Sequence, residues 1–116
     1  MNHPKRCDVW LVLLDPVIGN EIGKTRPAVI ISNDQNNRYS GTVTVLPITS
    51  NTKEIYPFET FLAKTDTNFP EDSKVKCNQI RTVSKERLIK CIGSISPDII
   101  KKIEYSILIH LGIKLS

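Results

Sequence analysis

Along most of the chain apolar residues come in short blocks separated by proline, glycine and polar residues; only the C-terminal segment changes to a helical spacing. Asp8 to Leu14 (DVWLVLL) is β-branched and aromatic at its start and is halted by Asp15-Pro16, which predicts a strand followed by a turn. Val17 to Thr25, with Gly19 and Gly23, reads as a loop. Arg26-Pro27 then opens a second strand, Ala28 to Ser32, whose proline is acceptable at a first or edge position. Asn33 to Gly41 is a polar turn region. Valine and threonine alternate from Thr42 to Leu46, as on a half-buried strand, which is expected to end at Pro47 with Ile48-Thr49-Ser50-Asn51 leaving the sheet. Pro57 introduces a strand around Phe58 to Ala63, and Asp66 to Asp72 is a loop. Lys74 to Val83 and Leu88 to Ile92 supply two more strands joined through a charged turn.

At the C-terminal end Ile99, Ile103, Ile107 and Leu111 are spaced by four, with Ile100 and Leu108 beside them, so one face of a helix is apolar. Ser96-Pro97-Asp98 is a start signal: serine caps, proline suits the first turn and aspartate favours the positive helix end. Burying each of those large side chains is worth roughly 1.5 to 3 kcal/mol, which makes the helix a packing element against a barrel or a partner subunit. About five to seven short strands with one terminal helix predict a mainly β fold, a strongly bent antiparallel sheet or small barrel, in one domain over residues 1–116.

Composition narrows the class. A chain of 116 residues with 40% hydrophobic content buries a core without metal or disulfides. The run Val9 to Leu14 is too brief for a signal-peptide core or a membrane span, so the expected location is the cytoplasm, with no membrane partner. Cys7, Cys77 and Cys91 are an odd set with no C-x-x-C pair, which argues for reduced thiols and against a zinc site. The net charge of +4 is compatible with a polyanionic partner and equally with an ordinary solvated surface.

Two segments carry candidate chemistry. Gly19-Asn20-Glu21-Ile22-Gly23-Lys24-Thr25-Arg26-Pro27 combines flexible glycines with a carboxylate and two cations, suited to wrapping a phosphate and to supplying a proton acceptor and charge stabilisation. Pro47-Ile48-Thr49-Ser50-Asn51 ends a strand in hydroxyls and an amide, which bond phosphate oxygens. On residue types alone the alternatives stay open: Arg26 paired with Glu21, and Thr49-Ser50-Asn51 as turn chemistry.

The ordered set Asp8-Val9-Trp10, Leu14-Asp15-Pro16, Gly19-x-Glu21, Arg26-Pro27-Ala28-Val29, Pro47-Ile48-Thr49-Ser50, Pro57-Phe58 and Asn78-Gln79-Ile80-Arg81-Thr82 resembles the MazF/PemK family of toxin endoribonucleases over roughly residues 6 to 110. The resemblance implies an SH3-like barrel of the PemK/MazF/CcdB type with a terminal helix, a homodimer, a cognate antitoxin as partner, and cleavage of single-stranded RNA without metal or other cofactor. It implies attack by the 2′-hydroxyl, leaving a 2′,3′-cyclic phosphate and a 5′-hydroxyl. The family's catalytic arginine and threonine fall on Arg26 and Thr49.

A guanidinium stays protonated at neutral pH, so Arg26 is a bidentate clamp on phosphorane oxygens, with late proton donation to the leaving group as a second role, and is a poor base. Glu21 is the candidate to take the 2′-hydroxyl proton, and Thr49 holds the phosphate in line. Asn20, Lys24, Ser50, Asn51, Lys53, Lys76, Asn78, Gln79 and Arg81 are candidate RNA contacts, the lysines as a phosphate track and Gln79 and Arg81 as readers of bases or phosphates; Arg81 as a surface ion pair is the plain alternative. His3 and His110 lie at the chain ends, His110 as a structural residue of the helix, so a two-histidine mechanism is not expected. Asn20 and Asn78 stand where one branch of the family has histidine and aspartate, which removes a His/Asp/Arg mechanism. Cys7 stands where a glycine is common; if that glycine served a backbone need, the cysteine strains or re-aims the strand start, a change the barrel is expected to tolerate. The other reading is a non-catalytic nucleic-acid-binding module or a gyrase poison on the same barrel.

Overall fold

The computed structural model describes residues 3–114. The order is β1 (Asp8–Leu13), β2 (Thr25–Ile30), α1 (Asp34–Tyr39), β3 (Thr42–Thr49), β4 (Glu59–Leu62), β5 (Ser73–Lys76), β6 (Arg81–Ser84), β7 (Leu88–Ser94) and α2 (Pro97–Leu111). The strands form one antiparallel sheet ordered β4-β5-β3-β2-β1-β7, with β6 also on β3. The mainly β fold with a C-terminal helix is the one expected, as a sheet bent into a barrel-like shape. Among the described residues no helix is long and apolar enough to cross a membrane.

The bend follows from alternation along strands buried on both sides. In β2, Val29 packs into one apolar cluster with Val9, Leu46, Ile48, Val75, Ile100 and Ile103, whereas Ala28 and Ile30 pack into a second with Val12, Leu14, Val43, Val45 and Val83. Successive side chains point to opposite faces. The first cluster lies under α2; the second is enclosed by the curving sheet. Ser96 caps α2 by accepting the Ile99 N–H, and Gly112, at φ 69°, ends it.

Three expectations are corrected. β3 does not stop at Pro47 but runs to Thr49. Proline donates no ladder bond, yet Ile48 and Thr49 gain a new partner in β5, opposite Val75 and Lys74, and that pairing carries the strand on. The segment Lys74 to Val83 is not one strand but β5 and β6, split by a 3-10 turn at Cys77–Gln79. Both pieces flank the same edge of β3. Between Ile48↔Val75 and Val45↔Arg81, β3 advances three residues while its partner advances six, and the turn takes up the surplus. Finally, Asn33 to Gly41 contains α1, capped by the Asn33 side chain accepting from the Asn36 N–H at 2.8 Å and held by fully buried Asn37, whose amide donates to the Ser32 carbonyl at 2.8 Å. Its polar sequence hides it from a search for apolar periodicity.

Cys7 does occupy a glycine conformation, with φ 79°, clamped between the Ile30 carbonyl and the Ile95 N–H. A side chain there costs roughly 1–2 kcal/mol, partly offset by glycine's larger unfolded-state entropy. Cys7→Gly is therefore expected to stabilise the protein by about 0.5–1 kcal/mol, raising Tm by a few degrees in a thermal melt; an unchanged or lower Tm would show that the packing of the Cys7 side chain against the core outweighs the strain.

Candidate active site

The register of β2 on β3 pairs Ala28 with Pro47. That is the last pair of the β2–β3 ladder, and the same register continued two residues points Arg26 toward Thr49. By alternation both side chains share the face that buries Ala28 and Val45, at the end where the enclosed core opens. Arg26, Thr49 and Ser50 all line a cleft of about 220 Å3, whose other wall includes Phe69, Pro70 and Glu71. Glu71 is a carboxylate the sequence reading missed; Glu21 does not line this cleft.

Backbone geometry in the β1–β2 loop sets the guanidinium. Arg26 Nε donates to the Gly23 carbonyl at 2.9 Å, and among the described residues its two terminal nitrogens make no hydrogen bond or ion pair. Pairing with Glu21 is thereby set aside. Gly23 is needed for close approach: a Cβ there would stand 2.4 Å from Asp15 Oδ1 and 2.8 Å from Val17 Cγ2. That Asp15 oxygen accepts the N–H of Lys24, itself at φ 67°, at 2.9 Å. Exposed Glu21 uses Oε1 to accept the Ile18 N–H at 2.6 Å, while Oε2 has no partner among the described residues.

Thr49 Oγ1 accepts the Asn51 N–H at 3.3 Å, and Asn51 Oδ1 accepts the Lys53 N–H at 3.3 Å. The turn chemistry is thus present, and it has a consequence: with its oxygen engaged as acceptor, the Thr49 hydroxyl retains its proton for donation. The site offers a guanidinium fork and a hydroxyl proton side by side, a donor set matched to an anionic oxygen.

The remaining candidates divide. Ser50, Asn51, Lys53, Asn20 and Lys24 are exposed near the two loops. The turn Cys77–Gln79 pushes the late motif off the ladder and onto the first loop: Gln79 Oε1 accepts the Ile22 N–H at 3.2 Å and Gln79 Nε2 donates to the Asn20 carbonyl at 3.5 Å. Among the described residues Arg81 makes no ion pair; its Nη1 donates to the Leu14 carbonyl at 3.1 Å. Gln79 and Arg81 therefore brace the loop. Asn78 Oδ1 is buried and has no hydrogen-bond partner among the described residues. Lys76 is drawn from any phosphate track by Glu59, 3.0 Å away. Exposed His110 stands near the Phe58 ring, outside this site.

Glu59 and Lys74 were not singled out by the sequence. The Glu59 side chain is 0% exposed and is held 2.9 Å from Lys74, itself 8% exposed. Burial pushes the Glu59 carboxyl up, but hydrogen bonds from the Tyr56 N–H, Lys74 and Lys76 outweigh it and hold the group below its ordinary range.

Comparison with known proteins gives a consistent set. Residues 5–111 match the family model described as PemK-like, MazF-like toxin of type II toxin-antitoxin system. The chain is 37% identical over 114 residues to the endoribonuclease MazF9 of Mycobacterium tuberculosis, covering 94% of this chain and 97% of that protein. It is 39% identical over 110 residues to the endoribonuclease MazF of Staphylococcus saprophyticus, covering 94% and 92%. Among solved structures, MazF from Deinococcus radiodurans superposes with a TM-score of 0.84 at 23% identity, over 97% of this chain and 99% of that one. An endoribonuclease in complex with its cognate antitoxin from a mycobacterial species superposes with a TM-score of 0.78 at 24% identity, over 97% and 99%; at that identity the likeness speaks to the fold.

Proposed function

The chain belongs to the PemK-like, MazF-like family of type II toxin–antitoxin toxins, and from that premise we infer that it is an endoribonuclease toxin that cleaves single-stranded RNA around Arg26 and Thr49. The observation that carries the site assignment is the pairing of two unspent donors. Among the described residues the Arg26 terminal nitrogens and the Thr49 proton are left over when every other local bond is made.

A phosphodiester seated there has its non-bridging oxygens on the guanidinium and the threonine hydroxyl, which stabilise the added charge of the phosphorane. The 2′-oxygen attacks phosphorus, the bond to the 5′-oxygen breaks, and a cyclic phosphate and a 5′-hydroxyl result. Glu21 lies outside the cleft, so it serves as acceptor of the 2′-hydroxyl proton only if the β1–β2 loop moves its Oε2 over the seated phosphodiester; Arg26 donates a hydrogen bond to the departing oxygen, which takes its proton late in the reaction. Ser50, Asn51, Lys53, Asn20 and Lys24, exposed near the two loops, extend the contact to neighbouring nucleotides. The chain works in the cytoplasm as a homodimer restrained by a cognate antitoxin. The dimer is supported by the exposed apolar side chains of Tyr105 and Ile109, one turn apart on α2.

The test is to incubate purified protein with a long unstructured RNA in EDTA and map the ends. Fragments with 2′,3′-cyclic phosphate and 5′-hydroxyl termini are expected; intact RNA from a folded protein would leave the non-catalytic binding module in its place.

A further inference from the structure

Lys74 pairs with Thr49 across β3 and β5 and with Phe61 across β5 and β4. Directly opposed residues of an antiparallel pair share a face, so Lys74 is the lateral neighbour of Thr49 on the side that carries Arg26. Its ammonium does not remain there. Nζ donates to Glu59 Oε1 at 2.9 Å and to the Glu54 carbonyl at 2.7 Å, and it stands 5.8 Å from the Tyr56 ring centroid. Glu59 Oε1 also accepts the Tyr56 N–H at 3.0 Å, and Oε2 takes Lys76 at 3.0 Å. Tyr56 in turn stacks on Phe58, with centroids 5.4 Å apart.

These bonds all converge on the far half of the segment joining β3 to β4. Among the described residues its near half, Ser50 to Lys53, is held internally only by the two weak turn bonds at Thr49 and Asn51. A buried ion pair is a poor source of net stability, since an apolar replacement of similar volume often does as well. What it supplies is directional: two fixed points, one on each side of a short loop. We propose that Glu59, acting through Lys74, is a positioning residue for RNA binding, locking residues 54–58 so that Ser50, Asn51 and Lys53 are presented in one conformation beside Thr49. The proposal rests on the ribonuclease reading above. A loop already ordered does not have to lose that freedom when RNA binds, so the effect belongs in affinity and not in the bond-breaking step.

Glu59→Gln tests it, keeping the shape and an acceptor for the Tyr56 N–H while removing the charge. Lys74→Met is the second variant: it cuts the tie to Glu54 but leaves Glu59 neutralised by Lys76, so it serves if the first does not fold. Amide hydrogen exchange on the unliganded protein is expected to quicken within residues 50–58 and to stay unchanged in α2. On an RNA cut by the parent protein, KM is expected to rise about 10-fold with kcat within about 3-fold. Faster exchange through α2 and the sheet as well would make Glu59 a general stability residue and overturn the proposal. Unchanged exchange in 50–58, or a fall in kcat at constant KM, would overturn it too. Failure of the ribonuclease reading shows separately, as absence of cleavage by the parent protein, and the positioning role in RNA binding falls with it.

Discussion

Arg26→Ala is expected to cut the single-turnover cleavage rate by at least ~100-fold, the lower range for loss of a charge-stabilising donor and equivalent to about 2.7 kcal/mol of transition-state stabilisation. The fold should not suffer. Arg26 is half-buried and, among the described residues, the one hydrogen bond of its side chain is Nε to the Gly23 carbonyl, so its removal leaves no stranded charge and the Tm should move by no more than a surface substitution allows. Arg26→Lys is expected to recover little, because a point charge reproduces neither the planar fork nor the Nε anchor. Cleavage by Arg26→Ala at the parent rate would take this residue out of the mechanism.

Gly23→Ala should produce the second large loss, about 10- to 100-fold in kcat, without touching a group that meets RNA. The added methyl enters the space held by Asp15 Oδ1 and Val17 Cγ2. Asp15 must then give up the Lys24 N–H, and the carbonyl that anchors Arg26 Nε moves with the loop. Displacing a positioned group by about 1 Å can cost on the order of 100-fold. A crystal structure of the variant should show the Asp15 side chain rotated away. Full activity with Asp15 in place would mean that the alanine is accommodated by Val17 alone and that the loop does not set the guanidinium.

The parts of the molecule legible in the sequence are those whose signals are local. β1 announces itself by its apolar block and the Asp15-Pro16 stop, and α2 by its four-residue spacing and Ser96-Pro97-Asp98. Arg26 and Thr49 were reached by an ordered motif that resembles a known family. What stayed hidden depends on pairing. No local pattern says that β3 exchanges partners after Pro47, or that three residues must be looped out at Cys77–Gln79 for β5 and β6 to share one edge. For the same reason Lys76 read as a free cation and Lys74 and Glu59 were passed over. Their roles come from Glu59 lying opposite Lys76, and Lys74 opposite Thr49, in strands far apart in sequence. The polar helix α1 escaped because its stability comes from an asparagine cap and a buried amide.

The row that runs Arg26, Thr49, Lys74, Phe61 across β2, β3, β5 and β4 has a temporal meaning during synthesis. Arg26 and Thr49 emerge early, but the strand that flanks Thr49 begins only at Ser73, and the brace on the Arg26 loop arrives with Gln79 and Arg81. Long-range strand pairing is closed late because its loop entropy is met before its contacts form. A nascent chain still on the ribosome thus carries both reactive side chains without the frame that aims them, and the catalytic centre is completed only after Arg81 has emerged.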